Sequence, residues 1–331
     1  MRIGINGFGR IGRALARILL ADERFELVAI NDLAGAQTMA HLFKYDSVHG
    51  RAEIPIAATN QALIFGKHHI PYFSQPRPEL IPWSTVQADI VVDCTGQFKT
   101  REALSGHLLA GAVNVLLSVP PEDDSIKTIV NGINHQRVSG EDRIVSNASC
   151  TTNNAAPMIQ LLDELCGIES CYITTVHSYT GDQRLHDSPH KDLRRSRAAA
   201  LSIIPTTTGA AKALTRIFPE LSDKMGGCGF RVPVPDGSLT DITCNVRTPL
   251  SADIINAAFR KAAEQRWPGI LEYTEDPMVS VDVIGNPASC VFDAQLTSVI
   301  GNMVKVVGWY DNEIGYSHRL RDVLLSCYNS N

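Results

Sequence analysis

The stretch Arg2-Ile3-Gly4-Ile5-Asn6-Gly7-Phe8-Gly9-Arg10-Ile11-Gly12 decides the fold. Residues 2–6 read as a short apolar strand. A helical pattern then runs from Ile11 to Leu20, with Ile11, Leu15, Ile18 and Leu19 on one face. A second strand, residues 26–31, ends at Asp32, which lies 20 residues past the third glycine. Strand, Gly-x-Gly-x-x-Gly, helix, strand and acid in this register predict a dinucleotide-binding unit. Each part has a physical job. Gly7 permits the tight turn, Gly9 lets a pyrophosphate approach the backbone, and Gly12 lets helix and strand pack closely. The helix start offers unpaired N–H groups and the positive end of a dipole, which makes Arg10 and Ile11 candidate cofactor contacts beside the glycines. The Asp32 carboxylate can accept hydrogen bonds from both ribose hydroxyls of NAD and would repel the 2′-phosphate of NADP.

Strands and helices keep alternating outward from this unit, as in a doubly wound α/β sheet. Residues 89–94 form a buried-strand candidate ending at Thr95-Gly96. Residues 114–118 form another, ending at Val119-Pro120-Pro121, where proline stops pairing. Ligands of open α/β sheets bind beyond the carboxyl ends of the strands, so Thr95, Gly96 and Ser118 are further candidate cofactor contacts. Simple turn residues are the competing reading of the three.

The chain has 331 residues, enough for two domains with separate cores. Its composition, 44% hydrophobic and 20% charged, is that of a globular protein rather than a disordered tail. A net charge of −5 argues against broad nucleic-acid binding but leaves room for an anionic substrate held by a few arginines. Eight cysteines without a Cys-x-x-Cys pair fit neither a zinc framework nor a disulfide scaffold. Reduced thiols in the cytoplasm are the simpler expectation. The glycine motif directly after Met1 is unlike a signal peptide. The longest apolar stretch, residues 108–121, is too short to span a bilayer. A glycosylation sequon at Asn147 points the same way, because a glycan there would obstruct the cysteine three residues on.

That cysteine is the second informative feature. Residues 143–146 read as a strand, and Asn147-Ala148-Ser149-Cys150-Thr151-Thr152-Asn153 leads into a helix continuing to about Leu165. Cys150 therefore sits at a helix start, where the dipole and free N–H groups are expected to lower its pKa. Cys94, Cys166, Cys171, Cys228, Cys244, Cys290 and Cys327 fit the ordinary reading of packing residues. A strand over residues 172–176 delivers His177. An imidazole is what a nucleophilic thiol needs to exchange its proton, although spacing alone does not pair His177 with Cys150 among ten histidines. Residues 185–200 read as a long basic loop, solvated or in an oligomer contact. Thr206-Thr207-Thr208-Gly209 then resembles a hydroxyl-and-amide cradle before a helix. Arg231 follows on a strand before Pro233, completing a plausible phosphate-binding set.

Four stretches carry a specific resemblance: residues 5–13, Lys44-Tyr45-Asp46-Ser47-Val48-His49-Gly50, Ala148-Ser149-Cys150-Thr151-Thr152-Asn153 and Trp309-Tyr310-Asp311-Asn312-Glu313. They resemble the signatures of the phosphorylating glyceraldehyde-3-phosphate dehydrogenase family, in order from residue 2 to about 323. The resemblance implies a Rossmann-type NAD-binding domain over 1–149, joined by a C-terminal helix over 315–331. It implies an α+β catalytic domain over 150–314 with a large, mainly antiparallel sheet. It also implies a homotetramer.

The activity implied is NAD-dependent oxidative phosphorylation of D-glyceraldehyde 3-phosphate to 1,3-bisphosphoglycerate through a Cys150 thioester, with His177 as acid–base partner. By the same resemblance Thr180, Asp182 and Arg231 match the site for the substrate phosphate. Ser149, Thr151, Thr208 and Gly209 match the site for inorganic phosphate. Asn312 matches the residue that orients the nicotinamide carboxamide, and Tyr316 a neighbour of that ring. Three positions depart from the pattern: Asn154 replaces a second cysteine, Ser188 precedes Pro189 where leucine is common, and residues 119–124 are unusually acidic and proline-rich. The competing readings are erythrose-4-phosphate dehydrogenase, a relative that releases the acid by hydrolysis, and a relative with an added non-catalytic binding role.

Overall fold

A computed structural model describes residues 1–328. The chain forms two units, one of residues 1–148 with 317–328 and one of residues 149–316. In the first, the order is β1 (Arg2–Asn6), α1 (Arg10–Leu20), β2 (Glu26–Asn31), α2 (Ala36–Lys44), β3 (Tyr45–Asp46), β4 (Gly50–Arg51), β5 (Ile56–Ala58), β6 (Ala62–Phe65), β7 (His68–Phe73), β8 (Ile90–Asp93), α3 (Arg101–Leu109), β9 (Asn114–Leu117), β10 (Lys127–Thr128) and β11 (Ile144–Ser146). Nine strands make one sheet in the order β10-β11-β9-β8-β1-β2-β7-β6-β5, and β3 pairs with β4 apart from it. Pairings from β10 to β7 are parallel, and β7, β6 and β5 are antiparallel.

The strand order reverses between β1 and β8, which is where an open α/β sheet leaves a crevice at its carboxyl edge. Small residues make the close packing possible. A Cβ on Gly4 would stand 2.6 Å from the ring of the fully buried Trp83. Trp83 packs with Val28, Ala29, Ile81, Ala88, Val91 and Ala112 into one core cluster. On α1, Leu15 and Leu19 are buried, whereas Ile11 and Ile18 are only half-buried.

The acidic segment 119–124 has a structural role. Asp123 accepts the backbone N–H of Arg101, the first residue of α3, at 3.0 Å, while the Thr100 hydroxyl caps Ala103 at 3.3 Å. Glu122 donates its backbone N–H to the Lys99 carbonyl. A carboxylate at a helix N-terminus satisfies an orphan donor and complements the dipole.

The second unit runs α4 (Cys150–Cys166), β12 (Ile168–Ser178), β13 (Ile204–Thr206), α5 (Ala210–Ile217), β14 (Met225–Val232), β15 (Ser238–Val246), α6 (Ala252–Gln265), β16 (Leu271–Thr274), β17 (Cys290–Asp293), β18 (Ser298–Ile300) and β19 (Met303–Tyr310). Its eight-stranded sheet has the order β13-β14-β12-β15-β19-β17-β16, with β18 on β19. Only β12/β14 and β16/β17 pair in parallel, so the sheet is mainly antiparallel. Helix α4 packs on β12, β15, β17 and β19. The last helix, α7 (Ile314–Tyr328), begins in this unit and ends in the first; positions 329–331 of the expected C-terminal helix lie outside the described residues. Among the described residues no helix is long and apolar enough to cross a membrane.

Candidate active site

In the first unit the glycine loop joins β1 to α1 beside the end of β8. Gly7 has φ +90°, and a Cβ there would lie 2.7 Å from the Thr95 nitrogen. A Cβ on Gly12 would lie 2.2 Å from the Gly7 carbonyl oxygen, so helix and loop touch through that missing atom. Gly9 differs, because nothing stands within 4 Å of where its Cβ would be. Open space above Gly9, at a helix start with no side-chain cap, is the cradle a pyrophosphate requires. Arg10 makes an ion pair of 2.7 Å with Asp46, and Ile11 is half-buried in the first turn of α1. Asp32 accepts the N–H of Phe8 at 2.7 Å on one oxygen and that of Ala34 at 2.9 Å on the other. Those bonds fix the carboxylate and leave lone pairs on both oxygens. Thr95 donates to Asp93 through both N–H and hydroxyl, Gly96 has φ +66°, and Ser118 is buried. The residues present therefore fit a dinucleotide.

In the second unit Ser149 caps α4, accepting the Thr152 N–H at 3.2 Å. Cys150 is the first residue of that helix. Strand β12 is longer than its sequence pattern and includes His177. Its odd-numbered residues Cys171, Ile173, Thr175 and His177 all face the buried side. Period-two alternation thus directs His177 into the layer that α4 covers. The result is a Cys150 Sγ to His177 Nε2 distance of 3.5 Å. His177 Nδ1 lies 2.7 Å from the Ser178 carbonyl, which can only accept. Nδ1 therefore carries a proton, and in the neutral ring Nε2 is the acceptor facing the thiol.

Burial and the nearby Arg231 guanidinium push the His177 imidazole down to about 3, so it is a free base at neutral pH. The expected lowering of the thiol pKa does not hold. Burial raises it, and the opposing pull of Arg231, Thr151 and the helix N–H groups is smaller. Tyr310 packs edge-on to His177 with centroids 6.0 Å apart and shares a 2.9 Å hydrogen bond with the Thr151 hydroxyl.

Arg231 stands opposite His177 across the parallel pair β12/β14. It donates to the Thr180 hydroxyl at 2.5 Å, and that hydroxyl in turn donates to Asp182. Arg195 completes the group, donating to Asp182 at 2.5 Å and to the Thr206 hydroxyl at 2.7 Å. Asp192 also pairs with Arg195, at 3.5 Å, so the two guanidiniums face two carboxylates. Arg231, whose only carboxylate within reach among the described residues is Asp182 at 4.0 Å, is the cation left to meet an anion. Asp182 stays ionised there: burial would raise its pKa, but the Thr180 hydroxyl, Arg231 and Arg195 outweigh it. Thr208 and Gly209 open α5, with the Thr208 hydroxyl accepting the Ala210 N–H at 3.2 Å. Their hydrogen bonds stay local and do not join the Arg231 cluster. The Asn312 side-chain oxygen accepts from Ser178 at 2.9 Å and Ser238 at 2.7 Å, and Tyr316 is buried.

Sequence reasoning missed Ser178, Ser238 and Tyr310, and it left Arg195 among undistinguished loop charges. Tyr310 stood inside a quoted motif and Ser178 directly follows His177; nothing local marks Ser238. Asn154, in place of the family's second cysteine, is buried and donates to the Ser289 and Trp309 carbonyls at 3.2 and 3.3 Å.

A dinucleotide loop in one unit and a cysteine–imidazole pair in the other fit the class of NAD-dependent dehydrogenases. Residues 1–101 match the NAD-binding domain of glyceraldehyde 3-phosphate dehydrogenase, and residues 149–312 match its C-terminal domain. Glyceraldehyde-3-phosphate dehydrogenase 2 of Streptomyces avermitilis is 49% identical over 326 residues, covering 98% of this chain and 97% of the relative. The corresponding protein of Mycobacterium avium is 47% identical over 331 residues, and that of Geobacillus stearothermophilus 48% over 325, each with the same coverage of 98% and 97%. The chain belongs to the glyceraldehyde-3-phosphate dehydrogenase family.

Proposed function

We propose that the protein oxidises D-glyceraldehyde 3-phosphate with NAD and phosphorylates the product to 1,3-bisphosphoglycerate, the first unit holding NAD and the second carrying the catalytic residues. The observation that carries this reading is the 3.5 Å approach of Cys150 Sγ to His177 Nε2, the acceptor nitrogen of the neutral ring. Cys150 attacks the aldehyde carbon, and His177 Nε2 takes the thiol proton. The same imidazolium then donates to the developing oxyanion, giving a thiohemiacetal. His177 removes the hydroxyl proton again as the carbon loses hydride, and Cys150 is left as a thioester. Bound NAD supplies the hydride acceptor. Inorganic phosphate then attacks the thioester carbon, releasing the acyl phosphate and restoring the thiol. Phosphate in place of water conserves the energy of the oxidation in the new anhydride.

Thr180, Asp182 and Arg231, with Arg195, hold the substrate phosphate. Ser149, Thr151, Thr208 and Gly209 hold the attacking phosphate. In the first unit, Gly7, Gly9, Arg10, Ile11, Gly12, Thr95, Gly96 and Ser118 carry the dinucleotide, and Asp32 binds its ribose. Asn312 and Tyr316 attend the nicotinamide. The carboxamide oxygen of Asn312 is already engaged by two serines, which directs its amide N–H groups elsewhere. Exposed Leu185, Leu193, Leu201 and Ile203 in the loop before β13 favour self-association, and the family resemblance makes the assembly a homotetramer. Eight free thiols favour a cytoplasmic location.

The test is NAD reduction by the purified protein with glyceraldehyde 3-phosphate, with and without phosphate or arsenate, and with erythrose 4-phosphate in parallel. Turnover is expected only with the triose phosphate and an added anion. Equal rates without either anion would remove the phosphorylating assignment, and faster turnover of erythrose 4-phosphate would move the protein to the competing substrate.

A further inference from the structure

Beneath the dinucleotide loop lies a buried hydrogen-bonded chain to which the reaction assigns no part. Strand register places Asn6 level with Asn31 on one side and Asp93 on the other. Asn31 donates to the Asn6 side-chain oxygen at 2.8 Å, and Asn6 donates to Asp93 Oδ2 at 2.8 Å. His107, from the last turn of α3, places Nε2 3.1 Å from the same oxygen. On its other side Trp83 Nε1 lies 3.0 Å from His107 Nδ1. Trp83, Asp93 and His107 are each 0% exposed.

Donor chemistry fixes every proton in this chain. An indole N–H can only donate, so His107 Nδ1 must be bare and its proton must sit on Nε2. His107 is therefore a neutral imidazole in one tautomer, donating to Asp93 Oδ2. Asp93 receives two donors on that oxygen and, on Oδ1, the N–H and hydroxyl of Thr95 at 3.0 and 2.7 Å. Thr95 in turn lies against Gly7, where no Cβ fits. The orientation of the Asp93 carboxylate thus sets the Thr95 backbone, and Thr95 sets one wall of the glycine turn.

We infer that His107, held in one tautomer by Trp83, is a positioning residue for NAD, acting through Asp93 and Thr95 without touching the cofactor itself. The inference rests on the dinucleotide reading of residues 7–12. Without the imidazole donor, a fully buried carboxylate is left under-satisfied and turns toward its remaining partners. The cost should fall on NAD affinity and leave the chemistry at Cys150 unchanged.

The experiment measures NAD affinity by calorimetry on the full-length protein, together with kcat and both KM values, for His107→Leu, His107→Gln and Trp83→Phe. His107→Leu is expected to weaken NAD binding about tenfold, with kcat at saturating NAD and the aldehyde KM within about twofold of wild type. His107→Gln keeps an amide N–H for Asp93 and should recover affinity to within about threefold of wild type, whereas Trp83→Phe, which frees the tautomer, should weaken it by more than about threefold. Wild-type NAD affinity in His107→Leu or in Trp83→Phe would overturn the inference. A parallel fall in kcat, both KM values and affinity, with glutamine no better than leucine, would overturn it too. Should His107→Leu fail to fold, the other two variants carry the same test. A wild-type protein that does not bind NAD would instead remove the underlying dinucleotide reading.

Discussion

In the proposed reaction Cys150 and His177 would divide the acid–base work, since the environment of each disfavours its charged form. Burial disfavours thiolate and imidazolium alike, so the proton moves only when the substrate carbon is there to take the sulfur's electrons. His177→Asn keeps a polar side chain but has no basic Nε2. We expect kcat to fall by about 10²- to 10⁴-fold, with NAD affinity unchanged and alkylation of Cys150 by iodoacetamide slowed at neutral pH. Single-turnover kinetics with calorimetry checks this, and an undiminished kcat would mean that another group takes the proton. Cys150→Ser in the same assay should abolish turnover while NAD still binds. The identity of Cys150 as the odd cysteine was legible because its small polar neighbours sit at a helix start. Its partner was not, since 27 residues separate it from His177 and only the pairing of α4 against β12 closes that distance.

At the scale of the element, the glycine loop separates two uses of the same residue type. Gly12 is structural, because a methyl group there would meet the Gly7 carbonyl at 2.2 Å and force α1 away from β1. Gly9 has open space, as the proposed pyrophosphate contact requires. Gly12→Ala is expected to destabilise the protein by about 1–3 kcal/mol in denaturant titrations, from overpacking alone. Gly9→Ala should keep wild-type stability and lose NAD affinity. Wild-type binding by Gly9→Ala would end the argument that the backbone at Gly9 meets the pyrophosphate. The loop, its two strands and its helix were all readable from spacing, because each is built from contacts within about thirty residues of one another. The extension of β12 through His177 was not, since it depends on pairing with β14 and β15 from far along the chain.

At the scale of the whole molecule, stability carries a pH dependence that no motif announces. Asp236 is buried in the second unit, and burial together with the Asp311 and Glu313 carboxylates pushes its acid up to about 8. The folded state keeps a proton that the unfolded chain releases above about 3.9, so stability falls as pH rises from there through 8. Asp236→Asn needs no such proton and preserves the shape. Its melting temperature should exceed wild type by about 5 °C at pH 8, with a smaller difference at pH 5. Thermal melts at the two pH values decide it, and an equal difference at both would contradict the assignment.

The sequence by itself determined the dinucleotide unit and singled out Cys150, because these depend on local spacing, glycine geometry and side-chain chemistry; the proposed phosphate ligands came from the family resemblance and did not include Arg195. Only the tertiary structure decided which groups meet. The register of β12 with β14 set His177 opposite Arg231, and the loop after Asp182 brought Arg195 back to its carboxylate. The register of β1 between β2 and β8 lined Asn6, Asn31 and Asp93 into one proton-ordered chain. The reason is physical in each case: spacing fixes a residue's face on its own element, whereas burial, tautomer and charge pairing arise only when a second element, distant in sequence, closes over it.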